Sequence, residues 1–147
     1  MTLPSAACLS VVIVDDAPPI RERLKIMVNG GASHAEVVGE TGEVQAAIVM
    51  IQDRQPDVVI LDLQLTGGSG FEVLRTIKRV SGGPVVIMLT NLFTLEYQLT
   101  CLEAGADFFL DKSFGVDRLP DILNHLALKA ALSAGRERPF IDDVSAD

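Results

Sequence analysis

A chain of 147 residues, 48% apolar and 22% charged, carries enough apolar material for one buried core and reads as one globular domain. Its net charge of −8 and isoelectric point near 4.6 argue against a nucleic-acid surface, which needs a basic stripe. No apolar run approaches the ~20 residues of a membrane span, and Met1-Thr2-Leu3-Pro4-Ser5-Ala6-Ala7-Cys8 lacks the basic and apolar stretches of a secretory leader, so neither a membrane nor direct nucleic-acid contact is expected and a cytoplasmic location is.

Short β-branched runs alternate with helical periods along the chain, the pattern of a parallel sheet covered by helices. Residues 1–8 read as an N-terminal extension, 9–132 as the folded domain and 133–147 as a polar tail. The first strand is predicted from Leu9 to Val14, and its unbroken apolar character suits burial on both faces. Pro18-Pro19 opens the first helix, where missing N–H groups cost nothing. Ile20, Leu24, Met27 and Val28 recur on its inner side, with Arg21, Glu22, Arg23 and Lys25 mostly on the wet side. Glu36 to Glu40 is a more polar strand, expected at the sheet edge. Val44, Ala47, Ile48 and Ile51 mark the second helix, which ends before Gln55-Pro56.

The third strand is predicted over Val58 to Leu61. A helix beginning at Ser69-Gly70 and carrying Phe71, Leu74 and Ile77 follows, then a fourth strand from Val85 to Leu89. The fourth helix spans about Thr94 to Ala104, with Gly105 as its stop. The short fifth strand is Asp107 to Leu110. Asp117 is expected to cap the last helix, with Pro120 in its first turn. Five strand–helix units give an α/β fold: a doubly wound five-stranded parallel sheet in the flavodoxin-like order 2-1-3-4-5, with helices on both faces.

In such sheets ligands gather at the carboxyl ends of the strands. Asp15-Asp16 follows the first strand, Asp62 the third, Thr90 the fourth and Lys112 the fifth. The three carboxylates would meet in the crevice between strands one and three. Their mutual repulsion calls for a hard divalent cation, and Mg²⁺ suits a few carboxylates together with phosphate oxygens. A carboxylate can attack phosphorus, and the metal, Lys112 and the Thr90 hydroxyl would then spread the transferring charge. Taken singly, each residue has a plainer role as a helix cap, strand end, turn or solvated lysine; the set gathered at four strand ends does not. Cys8 and Cys101 form no disulfide framework, and His34 and His125 neighbour no nucleophile.

These pieces, Val14-Asp15-Asp16, Leu61-Asp62-Leu63, Gly67-Gly68-Ser69-Gly70, Leu89-Thr90, Leu102-Glu103-Ala104-Gly105-Ala106-Asp107 and Leu110-Asp111-Lys112, resemble the receiver domain of two-component response regulators over about Leu9 to Leu128. The resemblance implies that Asp62 accepts phosphate from a histidine kinase or histidine phosphotransfer protein. It implies Mg²⁺ held by Asp15, Asp16, Asp62 and the backbone carbonyl of Gln64, with Thr90 and Lys112 on the acyl phosphate. It also implies a switch in which Thr90 moves toward the phosphate and the aromatic Phe109 turns inward.

Thr66 stands where the family often has proline, which predicts a looser loop after Asp62. Asn91 replaces a small residue and narrows access to Asp62. Ser113 replaces a proline whose peptide is commonly cis, a geometry that costs serine ~3 kcal/mol. Leu92, Phe93, Leu95 and Tyr97 put apolar side chains on the fourth helix and the loop before it. With Phe109 beside them they form the expected contact face for a downstream protein or a second protomer. The expectation is a phosphoacceptor switch with no turnover beyond slow self-phosphorylation and dephosphorylation: a stand-alone, chemotaxis-type single-domain receiver, or a receiver taken from a longer regulator. An aspartyl phosphatase would need a second acid two residues after Asp62, where Gln64 stands. A flavodoxin-like cofactor binder would need a glycine cradle after strand one, where Asp15-Asp16-Ala17-Pro18 stands. A phosphorylation-independent interaction module is the remaining alternative.

Overall fold

The computed structural model describes residues 8–30, 34–79 and 82–136, so most of the predicted N-terminal extension and the tail beyond Arg136 lie outside the described residues. In chain order the elements are β1 (Leu9–Val14), α1 (Pro18–Asn29), β2 (Ala35–Thr41), α2 (Val44–Arg54) and β3 (Val58–Leu61). A small hairpin, β4 (Gln64–Leu65) and β5 (Gly68–Ser69), leads into α3 (Gly70–Ile77). Then come β6 (Val85–Thr90), α4 (Leu95–Glu103), β7 (Phe108–Asp111), a 3-10 turn at Val116–Arg118 and α5 (Leu119–Arg136). β1, β2, β3, β6 and β7 form one sheet in the order β2-β1-β3-β6-β7, all parallel. This is the predicted 2-1-3-4-5 arrangement.

Strand alternation divides the core into two layers. Val12, Val14, Val59, Leu61, Val86, Met88 and Phe109 point to the face covered by α2, α3 and α4. Leu9, Val11, Ile13, Val58, Ile60, Ile87, Leu89 and Leu110 point to the face covered by α1 and α5. Period-two geometry sends consecutive side chains to opposite faces, so a strand buried on both must be apolar at every position. Removing one such side chain typically costs about 2–5 kcal/mol, which makes the strands a stiff base for whatever their ends carry. Only β2, at the edge, is largely half-buried, as its polar sequence predicts.

The cap expected at Asp117 is absent, and the plainer reading of Asp15 or Asp16 as a helix cap also falls away. α1 starts on Ala17 without a side-chain cap and with proline in its first turn, so neither Asp15 nor Asp16 serves as its cap. Asp117 does not cap α5. It sits inside the 3-10 turn, and the backbone at Leu119 is already helical at φ −58°, ψ −46°, so one turn feeds the next and no separate cap residue intervenes. Ser69, by contrast, caps α3 through a capping box with Glu72. α5 continues to Arg136, four residues past the sequence-derived limit of the domain. Among the described residues no helix is long and apolar enough to cross a membrane.

Candidate functional site

The site is built by strand register. Val14 of β1 lies beside Leu61 of β3, Leu61 beside Met88 of β6, and Thr90 beside Asp111 of β7. The residues just beyond these strand ends therefore converge. Asp15 N–H donates to the Thr41 carbonyl and Asp62 N–H to the Val14 carbonyl, each at 2.9 Å, while Lys112 N–H donates to the Thr90 carbonyl at 3.0 Å. The sheet ladder thus runs on through Asp15, Asp62 and Lys112, and their side chains leave a fixed frame.

Asp15 and Asp62 are buried and Thr90 is wholly so, while Asp16 is exposed. One carboxylate oxygen from each of Asp15, Asp16 and Asp62 lies within 4.8 Å of the others. The Lys112 ammonium reaches between them, 2.6 Å from Asp15 Oδ2 and 2.8 Å from Asp62 Oδ2. Burial pulls the Lys112 pKa down, but the hydrogen bonds and charges of Asp15 and Asp62 outweigh it and hold it above the ordinary lysine value. Three carboxylates against one ammonium leave two negative charges uncompensated, a match for one divalent cation with hard oxygen ligands. The donor set therefore fits Mg²⁺. The opening is a cleft of about 710 Å³ with Asp16, Asp62, Gln64, Asn91 and Lys112 in its lining. Asn91 lines the same cleft as Asp62.

The two remaining departures from the family pattern turn out to be anchored. Thr66 N–H donates to the Gly42 carbonyl at 2.9 Å, a bond proline could not make, and the hairpin turns through Gly67 at φ +84°. The loop after Asp62 is thus tied down, contrary to the expected looseness. Ser113 N–H donates to Asp111 Oδ1 at 2.7 Å, again a donor that proline lacks, and no described peptide is cis.

Phe109 lies on β7 beside Met88 of β6. It is buried in the core and packs against Phe93, with ring centroids 5.4 Å apart. Phe93 supplies the cover, leaving its own ring 43% exposed. Thr90 Oγ1 accepts the Leu92 N–H at 3.1 Å, which links the hydroxyl directly to the segment carrying Phe93. Of the expected apolar face, Leu92 is half-buried, while Leu95 at 69% and Tyr97 at 44% stand exposed.

Two contributors were not apparent from the sequence. Arg21, expected on the wet side, is half-buried. It donates to the Asp15 carbonyl at 2.6 Å and to Glu40 Oε1 at 2.9 Å. Gly70 lets α3 start against the backbone of Asp62, since a Cβ there would stand 1.9 Å from the Asp62 carbonyl oxygen. The glycine run was a visible signal for the second; helical periodicity alone gave none for the first.

Residues 11–124 match the family model described as the response regulator receiver domain. The DNA-binding response regulator MtrA of Mycolicibacterium smegmatis is 34% identical over 71% of this chain and 44% of its own length. The KDP operon transcriptional regulatory protein KdpE of Escherichia coli is 31% identical over 94% of this chain and 60% of its own length. The chain thus spans about half the length of these relatives. A crystal structure of a LuxR-family two-component response regulator from Aurantimonas sp. superposes with a TM-score of 0.70 over 88% of this chain and 99% of that one, at 24% identity, a likeness of fold.

Proposed function

The chain belongs to the response regulator receiver domain family, and from that premise we propose that it is a phosphorylation-controlled switch whose acceptor is Asp62. The observation that carries this reading is the buried Asp62 carboxylate, held 2.8 Å from the Lys112 ammonium at the floor of an open acidic cleft. In the proposed reaction an Asp62 oxygen attacks phosphorus of a phosphohistidine on a kinase or phosphotransfer protein. The P–O bond forms, the P–N bond breaks, and the histidine leaves as a neutral imidazole by means of the proton that its other ring nitrogen already carries.

Asp15, Asp16, Asp62 and the Gln64 carbonyl would hold Mg²⁺, which when bound neutralises charge on the transferring group. Lys112 would follow that charge from the Asp62 carboxylate to a phosphoryl oxygen. Thr90 would donate its hydroxyl proton to a second oxygen while still accepting from Leu92 N–H. A shift of Thr90 then draws the Leu92–Phe93 segment with it and alters the face formed by α4 and β7. Because the Phe109 and Phe93 rings pack against each other, the switch would carry the two together.

The relatives named above speak to the output. MtrA is a DNA-binding response regulator and KdpE a transcriptional regulator, so the stand-alone, chemotaxis-type expectation finds no support. An effector that binds DNA is the output this receiver would control, acting in the cytoplasm, with the acidic receiver itself making no DNA contact. Incubation with Mg²⁺ and acetyl phosphate tests the reading: a mass gain of one phosphoryl group is expected, and it should vanish in Asp62→Asn. Uptake unchanged in that variant would overturn the assignment.

A further inference from the structure

Of the groups proposed to hold Mg²⁺, Asp16 is exposed and Gln64 offers only a backbone oxygen, so core packing sets neither in place. Both depend on where their backbone lies, and one short segment lies against both. Thr41-Gly42-Glu43 joins β2 to α2. On one side the Thr41 carbonyl accepts the Asp15 N–H at 2.9 Å. Beside it, a Cβ on Gly42 would stand 2.6 Å from Asp16 Cα and 3.0 Å from the Asp15 carbonyl oxygen. An approach this close is open to glycine alone. Arg21 shuts the remaining space, since its Nη1 would lie 2.9 Å from the same Cβ while donating to the Asp15 carbonyl. On the other side the Gly42 carbonyl accepts the Thr66 N–H at 2.9 Å, and the Thr66 carbonyl accepts the Val44 N–H at 3.1 Å. These two bonds tie the hairpin that follows Asp62 to the corner.

We propose that Gly42 is a positioning residue for divalent-cation binding: its bare Cα seats the Asp15-Asp16 turn, and its carbonyl, through Thr66, seats the strand that presents the Gln64 carbonyl. Two walls of the cleft that are distant in sequence are held in one register by a residue that supplies no ligand of its own. Partners that orient the groups around a metal typically change its affinity about 10–100-fold when lost. The hairpin half of this clamp needs an N–H at position 66. Proline there would remove the donor and set its ring against the Gly42 carbonyl. The role of Gly42 rests on reading the cleft as a Mg²⁺ site and needs no phosphate transfer. Failure of Asp62 to take up phosphate would therefore sink the acceptor reading and leave this one standing.

The test follows backbone amide resonances of the full chain during titration with MgCl₂, alongside urea unfolding of the metal-free protein. Thr66→Pro should weaken Mg²⁺ binding about tenfold. Thr66→Ala keeps the N–H and should bind Mg²⁺ as the wild type does. Gly42→Ala should weaken binding at least as much as Thr66→Pro; where it fails to fold, the two variants at Thr66 still decide. A merely structural role would lower the urea midpoint and leave the Mg²⁺ affinity of the folded protein unchanged. Equal Mg²⁺ affinity in Thr66→Pro and Thr66→Ala would overturn the proposal, whatever their urea midpoints. No Mg²⁺-dependent shift in the wild type would overturn it together with the metal reading.

Discussion

Replacing Lys112 with methionine keeps most of the aliphatic stem and deletes the ammonium that touches both buried carboxylates. At 2.6 and 2.8 Å, each contact is worth about 6 kcal/mol of Coulomb attraction at an effective dielectric near 20. Desolvation of the ammonium opposes this, and the direction of the Lys112 pKa shows that attraction prevails. Deleting one partner of a buried pair leaves the other charge uncompensated, at a typical cost of about 3–5 kcal/mol. The cleft beside Asp62 admits water, so a loss of about 2–4 kcal/mol is expected, read as a lower urea midpoint at neutral pH in chelator-treated buffer. Mg²⁺ should then restore more stability to the variant than to the wild type, because in the wild type the ammonium already meets part of the same charge. At about a hundred times the dissociation constant that restoration is about 2.7 kcal/mol. A metal-free variant as stable as the wild type, or Mg²⁺ stabilising both equally, would refute the claim that Lys112 neutralises this site.

Gly70→Ala should cost about 1–3 kcal/mol through overlap with the Asp62 carbonyl, outweighing the gain of about 1 kcal/mol from alanine in a helix; urea unfolding should show the loss, and acetyl phosphate labelling should slow because Asp62 is displaced. Asp16→Asn should raise the apo stability by about 1 kcal/mol through relief of like-charge repulsion, read as a higher urea midpoint, and calorimetry should show weaker Mg²⁺ binding; unchanged affinity would count against the metal assignment. Glu40 is held below the usual glutamate value of 4.5, first by its hydrogen bond from Lys25, against burial and with help from Arg21. Its contribution to stability is therefore complete above that value and lost as pH falls through the lower folded one. Glu40→Gln should cost at most about 1 kcal/mol at neutral pH, with the two urea midpoints converging on acidification.

The strand order and the placing of Asp15, Asp16, Asp62, Thr90 and Lys112 at strand ends were legible because both follow from local pattern. Unbroken apolar runs such as Val11-Val12-Ile13-Val14 mark strands buried on two faces, and the polar residues just past them must fall at one end of a parallel sheet. Arg21 was not legible, because periodicity assigns a helical residue to a face and says nothing of a long side chain curling back to a carbonyl six residues earlier. The anchoring of Thr66 and Ser113 escaped for a related reason. Reading them as absent prolines notes the lost rigidity, whereas the N–H each regains finds an acceptor only in the folded chain. Asp117 has the composition of a cap, yet a 3-10 turn running directly into α5 left no terminus to cap. Phe109 was placed by analogy to a switching aromatic, and its cover by Phe93 is a tertiary fact.

Chemical mapping of the acyl phosphate tests the central claim most directly. After exposure to Mg²⁺ and acetyl phosphate, borohydride reduction converts an aspartyl phosphate to homoserine, and peptide mass analysis locates the modified residue. Homoserine at the position of Asp62, dependent on Mg²⁺ and absent from Lys112→Met or formed there far more slowly, is the predicted result. Modification confined to another carboxylate, or none at Asp62 under conditions that label a known receiver, would contradict it.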